Sequence, residues 1–329
     1  MKKIVVASDS FKGTYASLEI AELVRSVLDA NEYSIDAIGI SDGGEGFCRV
    51  LTEAMHGQLV SVAVHDPLMR PIVAAYGVVD DTAIVEMAAS SGLTLLHPSE
   101  YDPWNATTYG TGELIADALK RGYRKLVIGL GGSATSDCGY GMLQALEGME
   151  RELEDTQVTV ACDVCNPLCG PHGSAAVYAR QKGADDALIE RLEERTRLFG
   201  IELEKRYGRR LMDIPGAGAA GGVGAALLSL PQAEMQHGID VVLEVQHFDE
   251  RIADAAAVIT GEGCIDTQTL SGKAPYGIAL RARRQGIPCI ALYGRMELTE
   301  KELATAPWTR VVAIEDFRKG GFSQSRFFE

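Results

Sequence analysis

Hydrophobic and polar positions along this chain fall into two textures. In the first, a short apolar, partly β-branched run ends in a polar bend and gives way to apolar positions at helical spacing. Ile4–Ala7 and Ile35–Ile40 are runs of this kind, and Ser17–Leu28 between them has helical spacing. Together they predict the opening of a βαβ unit with a parallel sheet. From Gln58 to Met87 the second texture takes over. LVSVAVHDP, PIVAAYGVV and TAIVEMA are short β-rich runs divided by Asp66-Pro67 and Asp80-Asp81, which predicts hairpins and the entry into a second domain. The first texture then returns. Gly112–Arg121 reads as a helix, Leu126–Ile128 as a strand, Gly141–Leu146 as a helix and Val158–Cys162 as a strand. Asp186–Tyr207 predicts a long amphipathic helix whose Glu- and Arg-rich side is a solvated face. Ala256–Thr260, Ala274–Arg284 and Ile287–Leu292 close the chain in βαβ texture. Both termini are therefore expected to build one domain, residues 1–64 and 255–329, with a second α/β domain, residues 65–254, inserted into it.

The bends between these elements carry the candidate chemistry. SDSFKG (Ser8–Gly13), SDGGEG (Ser41–Gly46), GLGGSATSD (Gly129–Asp137), GAGAAGG (Gly216–Gly222) and GEGCIDTQT (Gly261–Thr269) mix glycine with Asp, Ser, Thr and Lys. A strand, a glycine-rich bend and a helix start surround an anion with unpaired N–H groups. One such bend reads equally well as a capped turn. Five in one chain suggest phosphate handling with a divalent cation. Standard nucleotide motifs are missing. Gly272-Lys273 lacks the surroundings of a Walker A loop, and neither DFG nor HRD occurs. Gly216, Gly218 and Gly221 have GxGxxG spacing, but Met212-Asp213-Ile214 before them is not a convincing strand, so they are read as a glycine-rich helix start. Phosphoryl transfer needs cations on the phosphates, carboxylates for a metal and a base for the attacking hydroxyl. Lys12 is the cation embedded in a candidate loop. Asp9, Asp42, Asp137, Asp163, Glu262 and Asp266 are the carboxylates, each of which also suits a cap or turn. Arg70 could clamp a substrate carboxylate, or simply sit in a hairpin turn.

Bulk properties narrow the classes. With 329 residues the chain can bury a large core and favours two domains. A net charge of −15 argues against nucleic acid or an acidic membrane as the partner. The N-terminal apolar run is too short for a signal, and no run approaches transmembrane length. Seven cysteines, an odd number, suit reduced thiols and a cytoplasmic location. Cys162, Cys165 and Cys169 lack the second paired cluster of a structural zinc site.

DSFKG, DGGEG, DPLxRP, EMAxxSGL, TxYGTGELI, IGxGGSATxDxGxGMLQAL, ACDVxNPLxGPxG, QKGA, GAGAAGGxG and ITGEGxxDxQTxxGKAP occur in that order from Asp9 to Pro275. In this combination the chain resembles the bacterial glycerate kinases of the first type. The resemblance implies ATP-dependent phosphorylation of D-glycerate to 2- or 3-phosphoglycerate with Mg²⁺. It also implies an α/β fold with a discontinuous Rossmann- or flavodoxin-like domain, an inserted α/β domain and an active site in the cleft between them. Carried over by motif, Asp9, Ser10, Lys12, Asp42, Gly131, Gly132, Ser133, Thr135, Asp163, Asn166, Gly218, Gly221, Gly222, Glu262, Gln268 and Thr269 would line that cleft. Asp42 or Asp163 is expected as the base, Lys12 on a phosphate, Arg70 on the substrate, and Asp137 or Asp266 at the metal. Expected partners are the small-molecule substrate, with neither nucleic acid nor membrane, and a homodimer is left open. Where the family has a longer segment before the ACDV strand, this chain has only Glu147–Gln157. The alternative reading is accordingly a shortened, catalytically weak or inactive member that acts as a small-acid or nucleotide binding protein.

Overall fold

The computed structural model describes residues 1–11, 14–40 and 46–320. Its strands, in chain order, are β1 (Lys2–Ser8), β2 (Tyr33–Gly39), β3 (Gln58–His65), β4 (Pro71–Val79), β5 (Thr82–Glu86), β6 (Lys125–Gly129), β7 (Gln157–Ala161), β8 (Gln232–Gln236), β9 (Ala257–Ile265), β10 (Cys289–Met296) and β11 (Arg310–Ala313). They form two sheets. Each belongs to one of two compact units, Met1–Asp42 with Ile239–Glu329, and Gly43–Gly238.

In the unit built from both termini the order is β11-β10-β9-β1-β2, and all neighbours are parallel. Renumbered within the unit this is 2-1-3-4-5, the flavodoxin-like doubly wound order. Such a sheet is covered on both faces, which explains why Ile4, Val5, Val6 and Ala7 are all buried. The Ser17–Val27 helix brings Ile20, Ala21 and Val24 into the same core as Ile4, Val6, Ile259 and Leu292. Strand order reverses between β1 and β9, and ligands of open parallel sheets gather beyond the carboxyl ends of strands at such a point.

The other unit has a mixed six-stranded sheet, β3-β4-β5-β6-β7-β8. The β3–β4 and β4–β5 pairs are antiparallel, as the hairpin texture predicts, and β5 to β8 are parallel. The 22-residue Asp186–Tyr207 helix starts at Asp185, whose side chain accepts from Leu188 N (2.8 Å), and ends at Gly208 in the left-handed region. The short connection before β7 holds the Glu150–Glu154 helix, and Leu146, Met149 and Leu153 along it are buried in the core.

The divisions between units differ from the expected 64/65 and 254/255. β3 pairs with β4 along its whole length, and Glu86 of β5 accepts from Gly46 N and Cys48 N (3.1 Å each), so the described chain from Gly46 packs with the second sheet. At the other end Gln246 Nε2 donates to Gly39 O (2.6 Å) and Arg251 binds Asp36 and Ala37 O, which ties residues from Ile239 to the first sheet. β8, QAEMQ, has no expected counterpart in the sequence, because it is an edge strand with no fully buried position. Among the described residues no helix is long and apolar enough to cross a membrane.

Candidate active site

In the second unit the parallel strands end at Glu86, Gly129, Ala161 and Gln236, and the loops that follow β6 and β7 pack on the glycine-rich segment before β8. After β6, Leu130 N still donates to Ala161 O (3.1 Å). The chain then turns at Gly132, whose φ of +69° suits glycine. Leu93 N donates to Gly132 O (2.8 Å) and Ala134 N to Ser91 O (2.9 Å), so this bend is pinned to the segment after β5. Among the described residues, the N–H groups of Gly131, Gly132 and Ser133 donate to no protein acceptor. Three successive amides without partners among the described residues, at the carboxyl end of a strand, are suited to an anion's oxygens.

Two side chains, the half-buried Asp137 and a fully buried lysine, hold this loop. Asp137 Oδ2 accepts from Thr108 N and Thr108 Oγ1 (2.8 Å each) and from Gly141 N (3.1 Å), and Oδ1 accepts from Gly139 N (3.1 Å). The carboxylate, expected as a metal ligand, is thus occupied in joining the loop to the Tyr109–Lys120 helix start. The second group was not expected at all. Lys182, 2% exposed, donates from Nζ to Thr135 O (2.5 Å) and Ser133 Oγ (3.1 Å). Burial lowers its pKa to about 8, with Asp137 and then Cys138 acting in the opposite direction. Lys182 stands in QKGA among small residues, where a sequence reading sees only a turn lysine; nothing in its spacing announces a buried ammonium. Arg195 adds a bond from its guanidinium to Ser136 O (3.1 Å).

The β7 loop and the glycine-rich segment complete this layer. Asp163 Oδ1 accepts from Gly238 N (2.8 Å), and its carboxylate lies 3.8 Å from His237 Nδ1. Asn166 holds the loop rather than presenting a free amide. Its Oδ1 accepts from Tyr178 (2.6 Å), Nδ2 donates to His172 O (2.8 Å), and its carbonyl accepts from Gly216 N and Gly218 N. Gly221 and Gly222, expected as phosphate contacts, follow Ala220 in an unbroken left-handed run, with φ of 53°, 74° and 93° for the three. Cys138 N donates to Gly221 O (3.0 Å). A Cβ on Gly221 would lie 2.1 Å from Thr135 O, and one on Gly218 would lie 2.2 Å from Pro167 O. These glycines let the loops approach one another. Arg70 is tied within its turn: Nε donates to Asp66 Oδ2 (2.5 Å) and a second nitrogen to Glu100 Oε1 (2.7 Å), and both bonds raise its pKa. That is the hairpin-turn role rather than an open clamp.

In the first unit the candidate residues gather at the strand-order reversal. Asp9 N and Ser8 Oγ donate to Gly261 O (2.9 and 3.0 Å), which joins the end of β1 to the middle of β9, and Ser10 N donates to Asp9 Oδ1 (2.6 Å). Glu262 is buried, and its Oε1 accepts from the hydroxyl of the fully buried Thr269. Asp266 Oδ1 accepts from Gln268 N (2.8 Å) and Thr269 N (3.0 Å). Its ligand atom lies within 4.8 Å of those of Cys264 and Glu297, the one such group among the described residues. Lys12 and Asp42 lie outside the described residues.

The profile of the glycerate kinase family matches residues 4–150 and 146–319, two stretches that meet at the shortened connection. A glycerate kinase of Bacillus subtilis is 40% identical over 325 residues, covering 89% of this chain and 85% of that protein. The glycerate 2-kinase of Escherichia coli is 37% identical, with the same two coverages. The crystal structure of a putative glycerate kinase 2 from Salmonella typhimurium superposes with a TM-score of 0.84 at 36% identity, covering 97% of this chain and 93% of that one. The chain belongs to the glycerate kinase family.

Proposed function

We propose that the protein transfers the γ-phosphoryl group of ATP to a hydroxyl of D-glycerate, giving a phosphoglycerate and ADP. Glycerate phosphorylation rests on the family match and on named glycerate kinases at 37–40% identity over most of the chain. The observation in the fold that supports it best is the Gly131–Ser133 run of amides without described protein partners, a ready cradle for phosphate oxygens of the bound nucleotide. Asp163, at the end of β7, suits the base that takes the attacking hydroxyl's proton, with Asp42 as the other assignment. Lys12 is assigned to a phosphate oxygen.

Mg²⁺ bound with a nucleotide takes only one or two carboxylates and completes its octahedron with water and phosphate oxygens. Asp266 and Glu297 offer such a pair of hard oxygens, whereas the Cys264 thiol beside them is too soft to join. Asp137 is surrounded by protein donors and fits a metal less well. When bound, the ion would neutralise phosphate charge; the chain's own part is to hold Asp266 through the Gln268 and Thr269 amides. The test is ADP release with D-glycerate and Mg-ATP, followed by NMR of the product. Release that does not depend on glycerate overturns the proposal, and the NMR spectrum identifies which hydroxyl carries the phosphate.

A further inference from the structure

Lys182 is a fully buried cation on this loop that meets no carboxylate among the described residues. Among the described residues no Asp or Glu oxygen lies within 4.0 Å of Nζ, and the two bonds it makes go to a hydroxyl and a backbone carbonyl. An ammonium removed from water without a counter-charge is costly, and proteins retain one where something else supplies the negative charge. Both acceptors belong to the loop that carries the Gly131, Gly132 and Ser133 amides. The side chain reaches it from the Arg180–Lys182 turn, which is fixed by Lys182 N to Ala179 O and Ala184 N to Ala179 O and packed on Ala175 and Leu192. The turn thus delivers a positive charge to the loop that carries the three amides, in a position that no solvated lysine could keep.

We infer that Lys182 is the positioning residue of an anion site on the Gly131–Ser133 loop, its buried ammonium setting the loop's shape and being neutralised when a phosphate of the bound nucleotide occupies the amides. The inference deepens the kinase reading and rests on it for the identity of the nucleotide. The titratable and charged groups next to Lys182 are Asp137 and Cys138 in the loop itself, whose thiol is pushed up to about 12 by burial. Tyr178 on the preceding helix is raised by burial, and Arg195 on the long helix binds the same loop at Ser136. Burial moves the Cys138 thiol and the Tyr178 hydroxyl upward, away from pH 8, where Lys182 changes charge. An arriving phosphate favours the charged ammonium, so binding draws a proton onto it.

Titration calorimetry of the full chain with Mg-ADP at pH 8, in buffers of different ionisation enthalpy, counts that proton. The wild type should take up about 0.4 proton per ADP if binding raises the lysine by one unit. Lys182→Arg, charged at every pH, should bind within about tenfold and take up none, and Lys182→Met should bind about 30-fold or more weakly. Equal proton uptake in wild type and Lys182→Arg, or Lys182→Met within threefold of wild type, overturns the inference. Should Lys182→Met fail to fold, the arginine comparison still decides. The experiment contains no glycerate. A wild type that binds ADP with proton uptake yet releases no glycerate-dependent ADP supports the anion site and overturns the kinase reading; one that does not bind ADP overturns the anion site.

Discussion

At Gly221 two requirements coincide. Its φ is +74°, and a Cβ there would stand 2.1 Å from the Thr135 carbonyl of the neighbouring loop. Gly221→Ala should therefore cost roughly 3 kcal/mol, more than the roughly 1 kcal/mol of left-handed strain alone. Gly122→Ala is the control, since Gly122 has φ +94° but nothing within 4 Å of the added carbon. Urea denaturation of the pair separates close approach from strain, and equal losses would show that the loops yield. Lys182 makes a second residue-scale prediction. Its folded-state pKa of about 8 lies below the ordinary 10.5, so its charged form costs stability in full below pH 8. As pH rises from 8 toward 10.5 the folded protein loses this proton before the unfolded chain does, and the cost disappears. Between pH 7.5 and 9.5 the wild type should gain on the order of 2 kcal/mol relative to Lys182→Met, read from paired urea curves. None of this was legible in the sequence. Gly221 announced a bend but not its neighbour, and burial of Lys182 depends on residues roughly 50 positions earlier.

Elements with strong periodicity were legible, and those held by polar contacts were not. β1 and the Ser17–Val27 helix bury the apolar positions that define them. β8 has only Met235 and Ala233 to announce it, and its place comes from pairing with β7. The Gly129–Asp137 loop was legible as a bend, but the division of labour within it was not, because sequence shows a carboxylate and not its donors. Asp137 joins the loop to the Tyr109–Lys120 helix start through Thr108, while Asp266 gathers amides beside Glu297. Asp137→Asn should then lower stability by roughly 2 kcal/mol, because the mostly buried donors lose a charged acceptor, and leave the Mg²⁺ dependence of any surviving activity unchanged. Asp266→Asn should raise the Mg²⁺ concentration for half-maximal rate by about tenfold and change the melting temperature little. Magnesium titrations and thermal melts on both variants check the assignment, and an interchange of the two results would move the metal to Asp137.

For the whole molecule, the discontinuous unit was legible because both ends of the chain repeat the same βαβ texture, and its sheet has the 2-1-3-4-5 order of a doubly wound fold. Its boundaries were less legible because they rest partly on polar contacts such as Gln246 to Gly39 and Glu86 to Gly46, which leave no mark on hydropathy. The net charge of −15 is a further whole-molecule property, and it bears on how an anionic substrate arrives. Glycerate and ATP are both negative, so the long-range field opposes their approach, and attraction is confined to the loop amides and nearby cations. At an ionic strength of about 0.01 M the Debye length is about 30 Å and the field spans the protein; at about 0.15 M it is about 8 Å and only the local cradle is felt. Raising monovalent salt across that range should therefore raise kcat/KM for ATP by a few fold, with kcat nearly constant, because salt alters encounter rather than chemistry. The opposite slope would place a positive field at the site strong enough to outweigh the rest of the surface. Potassium acetate is the suitable salt, with free Mg²⁺ held fixed, so that ion pairing with the nucleotide does not imitate the effect.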